Sequence, residues 1–207
     1  MPDGGCLIAF EGIEGAGKST HLQAAAVTLR QRGVAVRETR EPGGTVLGGE
    51  LRRLLMHVPD APPTPLTELL LYVADRAQHV AELIQPALAR GEVVLTDRFS
   101  ASTIVYQGYA RGLDMKMVRQ LDAVACQGIA PLLTLLLDCP VRVGLARARE
   151  TDRFHREEHA FHERVRAGFL ALAAEDGARY CVIDATQPSD RVQADVTTAI
   201  LRCLKLS

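Results

Sequence analysis

The 207-residue chain has no tryptophan, and aromatics of every kind make up only 4% of it. Rings that could stack successive bases are scarce, which argues against a platform for single-stranded nucleic acid. Charge of one sign is lacking too. Lys and Arg number 24, Asp and Glu 25, and the formal net charge is -1. No global field therefore draws the molecule onto nucleic acid or anionic lipid, and any anionic ligand must be held by a local site. No apolar run approaches the roughly 18 residues that span a bilayer. The five cysteines (Cys6, Cys126, Cys139, Cys181, Cys203) are odd in number and form no CxxC pair. Most sit in apolar runs, where a free thiol behaves as a small hydrophobe in a reducing compartment. The start, MPDGGCLIAFEG, has no basic stretch ahead of an apolar one, so no signal peptide is expected. The expectation is a cytoplasmic protein without nucleic-acid or membrane partners.

Apolar residues at 47% and charged residues at 24% are ordinary globular usage. At about 150 residues per domain, the length favours one domain over 1–207. Short apolar runs alternate with longer segments of helical period, the pattern of a parallel sheet flanked by helices. Strands are expected at 6–10, 34–38, 92–96, 132–137 and 179–183. Helices are expected at 17–32, 45–57, 65–90, 100–107, 114–128, 141–149, 157–174 and 189–204. Thr64 before Pro65 reads as an N-cap, as does Asp114. Pro86 should kink or divide the long third helix.

The strongest local signal is Gly12-Ile13-Glu14-Gly15-Ala16-Gly17-Lys18-Ser19, a full match to GxxxxGK[ST] between a strand and a helix. Its glycines let the backbone curl so that successive N–H groups face phosphate oxygens, and the helix N-terminus adds positive charge. Lys18 can bridge the β- and γ-phosphates of a nucleoside triphosphate, and the Ser19 hydroxyl can reach Mg²⁺. A GTPase would also carry an NKxD-like motif, which is absent. The run at 92–96 ends in Asp97-Arg98-Phe99. Ligands of open parallel sheets gather at such strand ends. There Asp97 can hold Mg²⁺ directly or through water, and Arg98 can clamp a phosphate.

Taken together, FEGIEGAGKST (10–20), REPGGT (40–45), ADRAQHV (74–80), DRFSASTIVYQG (97–108), LLLDCPVRVGLARA (135–148) and VIDATQPSDRV (182–192) resemble thymidylate kinase in order and spacing over nearly the whole chain. The resemblance implies a P-loop NTPase fold, three-layered α/β/α, with a five-stranded parallel sheet of order 2-3-1-4-5 and a helix-mediated homodimer. It implies transfer of the γ-phosphoryl of ATP to dTMP with Mg²⁺. The loop from Gly12 to Thr20 then holds ATP, with Ala185 and Gln187 marking the turn along adenine. On the acceptor side Arg98 matches the phosphate clamp and Arg76 the arginine at the thymine edge. Tyr72 takes the place of the aromatic, usually Phe, that stacks on the base. Thr103 and Gln107 match polar contacts to thymine, and Tyr106 the residue crowding the 2′ position of the sugar. Arg40 and Pro42 lie in the loop that closes over the acceptor, and Glu14 approaches its sugar and the magnesium region.

Position 16 is Ala, so the phosphate loop delivers no arginine. The segment 147–156 resembles the lid of the bacterial type, and Arg149 and Arg153 are the preferred suppliers of transition-state charge. His155, His159 and His162 recur at helical spacing but lie among arginines, and they read as a solvated helix face rather than a metal site. Two other readings stay open on the residues alone: a kinase for a different nucleoside monophosphate, and a P-loop switch without turnover.

Overall fold

A computed structural model describes residues 4–56, 62–148 and 157–206. Five short apolar runs form strands β1 (Cys6–Glu11), β2 (Val36–Arg40), β3 (Val93–Asp97), β4 (Leu133–Asp138) and β5 (Tyr180–Asp184). All pairings are parallel and the order is β2-β3-β1-β4-β5, as the resemblance implies. The inner strands β1, β3 and β4 are buried along nearly their whole length, because helices cover both faces of a parallel sheet. Strand β2 begins two residues later than its apolar run suggests. Pairing with β3, from Val36↔Val93 to Arg40↔Asp97, sets its limits instead of hydrophobicity.

Nine helices lie among the described residues: α1 (Lys18–Gln31), α2 (Val46–Met56), α3 (Pro65–His79), α4 (Gln85–Ala89), α5 (Ser100–Thr103), α6 (Met115–Cys126), α7 (Val141–Arg147), α8 (His159–Glu175) and α9 (Ser189–Leu204). Thr64 caps α3 by accepting from the Thr67 N–H at 3.4 Å, and Asp114 caps α6 from Lys116 and Met117. The long helix expected over 65–90 is divided. A π turn, Val80–Ile84, separates α3 from α4. Pro86 has no N–H and its ring crowds the carbonyl four residues back, so the wider turn ahead of it absorbs the mismatch. A second π segment, Ile104–Ala110, follows the four residues of α5 and carries the chain past the expected end at 107.

Alternate residues of β1 serve opposite faces. Leu7 and Ala9 pack with Val80, Ile84, Ala87 and Phe99. Ile8 and Phe10 pack with Leu22, Ala26 and Leu29 of α1 and with Val196 and Ile200 of α9. Register then places the site. Phe10, Asp97 and Arg40 stand side by side across β1, β3 and β2, so the three chains leave the sheet at one level. Among the described residues no helix is long and apolar enough to cross a membrane.

Candidate active site

Past these strand ends lies a cleft of about 720 Å³. The loop after β1 forms one wall. Gly12, Gly15 and Gly17 have φ of 138°, 69° and 93°, which a side chain would strain. The loop also packs backbone to backbone on α7. A Cβ at Gly15 would strike the Gly144 carbonyl, and one at Gly144 would lie 2.5 Å from the Glu14 carbonyl. Glu14 to Thr20 line the cleft, whereas Gly12 and Ile13 sit behind it and act through their carbonyls. Lys18 Nζ donates to these, at 3.1 Å and 2.8 Å. Burial and the neighbouring Arg98 cation push the Lys18 ammonium down to about 8, against the pull of Asp97, Glu11 and Glu14.

The end of β3 supplies the second wall. Ser19 Oγ donates to Asp97 Oδ2, so the hydroxyl and carboxylate assigned to Mg²⁺ are in contact. Two hard oxygen donors at the mouth of a phosphate loop fit that ion. Arg98 has φ of 73°, in the left-handed region. Its N–H donates to the Phe10 carbonyl at 3.0 Å, and Thr96 Oγ1 donates to the Arg98 carbonyl at 2.8 Å, which holds the backbone there. The guanidinium donates to the Gly12 carbonyl at 3.2 Å and Ser102 Oγ at 3.0 Å. It reaches Tyr106 Oη at 3.4 Å and lies over the Tyr106 ring. Burial opposes the Arg98 charge, but Tyr106, Asp97 and Glu11 outweigh it and raise its pKa. Burial also pushes the Tyr106 phenol up to about 12.

The third wall comes from α3, the loop after β2 and the segment after β3. Tyr72 and Arg76 share a face of α3 and line the cleft with Arg40, Pro42, Thr103 and Gln107. Arg76 is only 2% exposed. Its Nε donates to Glu41 Oε2 at 2.9 Å, Nη2 contacts the same carboxylate at 2.8 Å, and Nη1 reaches Thr103 Oγ1 and Asp122. Among the described residues these contacts engage four of its five N–H groups and leave one on Nη2. Because Thr103 Oγ1 accepts from Arg76, its own proton is available to donate. Burial pushes Glu41 up, but Arg76 and His79 outweigh it and hold its pKa below the usual range. His79, fully buried, bridges Glu41 and Thr39 through its two ring nitrogens, each at 2.7 Å.

Several residues that the motifs did not single out complete the site. Glu11 is fully buried and accepts from Phe99 N–H, Ser102 N–H and Ser102 Oγ, which fixes the turn beneath Arg98. Its burial raises its pKa, against Arg98 and these donors. Glu11 lies inside FEGIEGAGKST and Glu41 inside REPGGT, each at a strand end where an acid is unexpected. Asp122, on an ordinary amphipathic helix, gave no signal. Arg147 lines the cleft and donates to the Ala185 carbonyl at 2.7 Å, joining α7 to the turn after β5. Gln187 lines it too, tethered to Asp184 at 2.9 Å. Arg149, Arg153 and His155 lie outside the described residues. The histidine face needs correction: His159 is exposed, but His162 is 2% exposed and packs edge-on against Phe161. Among the described residues no cluster could hold a metal by His, Cys, Asp and Glu side chains alone.

The family profile for thymidylate kinase matches residues 10–196. A thymidylate kinase of Geobacter sulfurreducens is 52% identical over 202 residues, covering 93% of each chain. One of Nitratidesulfovibrio vulgaris is 50% identical over 208 residues, 96% of this chain and 93% of the relative. The crystal structure of thymidylate kinase from Ehrlichia chaffeensis superposes with a TM-score of 0.77 at 33% identity, over 95% of this chain and 98% of that one.

One buried acid makes the site's stability depend on pH. Asp75 accepts from the Gly43 N–H at 3.1 Å, and burial and the nearby Glu41 carboxylate push it up to about 6. A carboxyl with a raised pKa in the fold stabilises below its unfolded value and loses that stabilisation as pH climbs through about 6. Asp75→Asn keeps an acceptor for Gly43 and removes the titration. It should gain stability over the parent between pH 5 and pH 8, reaching roughly 3 kcal/mol at most. Urea unfolding across that range checks this, and a pH-independent difference would refute it.

Proposed function

The chain belongs to the thymidylate kinase family, and on that premise we propose that it transfers the γ-phosphoryl group of ATP to dTMP, giving ADP and dTDP. The observation that carries this reading is a single cleft lined both by a phosphate loop and by the buried polar set Arg76, Thr103 and Gln107. Loop N–H groups and Lys18 hold the donor's phosphates. Ala185 and Gln187 border adenine. Arg98, locked by its backbone and by Ser102, clamps the acceptor phosphate, with Arg40 and Glu14 beside it. Arg76, Thr103 and Gln107 meet the base edge, Tyr72 stacks on its face, and Tyr106 crowds the sugar's 2′ position. Pro42 closes the loop over the acceptor. Ser19, with Asp97 behind it or through water, would hold Mg²⁺, which when bound neutralises phosphate charge.

The acceptor is already an anion, so no strong base is needed. Rate comes from holding the two phosphates in line and from cations placed where charge develops. Lys18 and Arg98 supply two of these, and Arg149 and Arg153 in the lid supply more during transfer. The chain acts as one domain over 1–207, in the cytoplasm, consistent with its five free cysteines. It pairs as a homodimer through α2, α3 and α6, whose Leu47, Leu54, Leu66, Leu70 and Val124 are exposed.

ADP release should be measured with dTMP, dUMP, UMP, CMP, AMP and GMP as acceptors. dTMP should exceed dUMP modestly, since one methyl is worth about 1–3 kcal/mol, and UMP should be far worse. Faster phosphorylation of CMP or AMP than of dTMP would overturn the reading. Lys18→Ala should lower activity roughly a hundredfold or more. Arg149→Ala and Arg153→Ala should lower kcat by about 10²–10³, with ATP affinity by calorimetry little changed. If both keep normal kcat and lose only ATP affinity, the lid is a clamp. Light scattering should give a dimer that Leu70→Glu disrupts, and a monomeric parent chain would remove that element.

A further inference from the structure

An amide side chain has a donor end and an acceptor end of nearly equal size, so a pocket that uses one end must decide which faces inward. Gln107 is 1% exposed and lines the cleft. Its Nε2 donates to Glu68 Oε1 at 2.7 Å, and its Oε1, itself buried at the cleft wall, has no hydrogen-bond partner among the described residues. Glu68 is equally buried, and two N–H groups of Arg111 approach its oxygens at 3.4 Å and 3.5 Å. Arg111 is itself anchored to Glu157 at 2.6 Å. With Arg111 and Gln107 converging on it, the carboxylate acts only as an acceptor. Turning the Gln107 amide over would set oxygen against oxygen in a buried place and lose the hydrogen bond.

We infer that Glu68 is a specificity-determining positioning residue, which compels Gln107 to present an acceptor to the acceptor base. The inference rests on the reading of Gln107 as a base contact. An inward acceptor matches a pyrimidine whose ring position 3 bears an N–H, as in thymine and uracil. It opposes cytosine, whose N3 is itself an acceptor. The neighbouring donors agree: the remaining Nη2 proton of Arg76 and the Thr103 hydroxyl suit a carbonyl at position 4, not an amino group. Discrimination between these bases is thus set by a carboxylate behind the residue that touches the base. A site built of such fixed groups rejects the wrong partner strongly, because the mismatch leaves buried polar atoms unpaired.

The test compares dTMP and dCMP on the parent chain, Glu68→Gln and Gln107→Leu, using kcat/KM and calorimetric Kd for both nucleotides. Gln at 68 can offer either end of its amide, so Gln107 can turn over without losing a partner. The dTMP-over-dCMP ratio should fall at least tenfold in Glu68→Gln, with KM for ATP unchanged. Equal losses for both nucleotides, with the ratio kept, would show a merely structural role and overturn the inference. If Gln107→Leu alone erodes the ratio, the base contact stands and the inference about Glu68 fails. If neither variant moves it, the reading of Gln107 fails as well. Should Glu68→Gln not fold, the ¹⁵N-labelled parent decides. One Gln107 side-chain amide proton should stay protected from exchange with and without dTMP, and its transfer to the ligand would overturn the inference.

Discussion

Asp97 pairs with Phe10 on one side and with Arg40 on the other, and the backbone continues that match one step beyond the sheet. Arg98 N–H bonds the Phe10 carbonyl, and Glu41 N–H bonds the Asp97 carbonyl at 2.9 Å. Three chains thus turn out of the sheet at one height. The phosphate loop, Arg98 and the loop carrying Glu41 are neighbours because of it. A slip of one residue in β3 would send the Asp97 and Arg98 side chains to opposite faces and take Ser19 from its carboxylate.

Behind the cleft the chain buries an unusual amount of charge. Arg76 lies among Glu41, Asp122 and the Phe99 ring, 5.1 Å from its centroid, and Glu41 is shared with His79. Buried pairs of this sort are weak sources of stability, since the desolvation of each ion offsets most of the attraction. Their value here is geometric. A guanidinium fixed at four of five N–H groups can aim the fifth only one way, and Arg98, at the other end of the cleft, is held by three contacts of its own.

Much of this was legible in the amino-acid sequence. The phosphate loop, the five strands and the DR dipeptide announce themselves through local spacing, and the sheet order followed from the resemblance. What stayed hidden depends on contacts between distant segments. Glu68 meets Gln107 across 39 residues, and Arg76 meets Asp122 across 46. Nothing in the helices around Glu68 and Asp122 distinguishes these acids from solvated ones. The π segment after α5 was equally hidden, because Ile104–Ala110 is buried on nearly every side and offers no apolar period from which a turn width could be read.

The meeting of Gly15 with Gly144 has a mechanical consequence. Main chain touches main chain there, with the Ile13 side chain wedged beside it, so the middle of α7 and the phosphate loop share one close-packed joint. A load applied at the loop reaches α7 undamped, and Arg147 hands it on to the turn after β5. Neither glycine has room for even a methyl group without prising the two parts asunder. A side chain at position 15 or 144 therefore costs more than its own volume, because it loosens both parts at once.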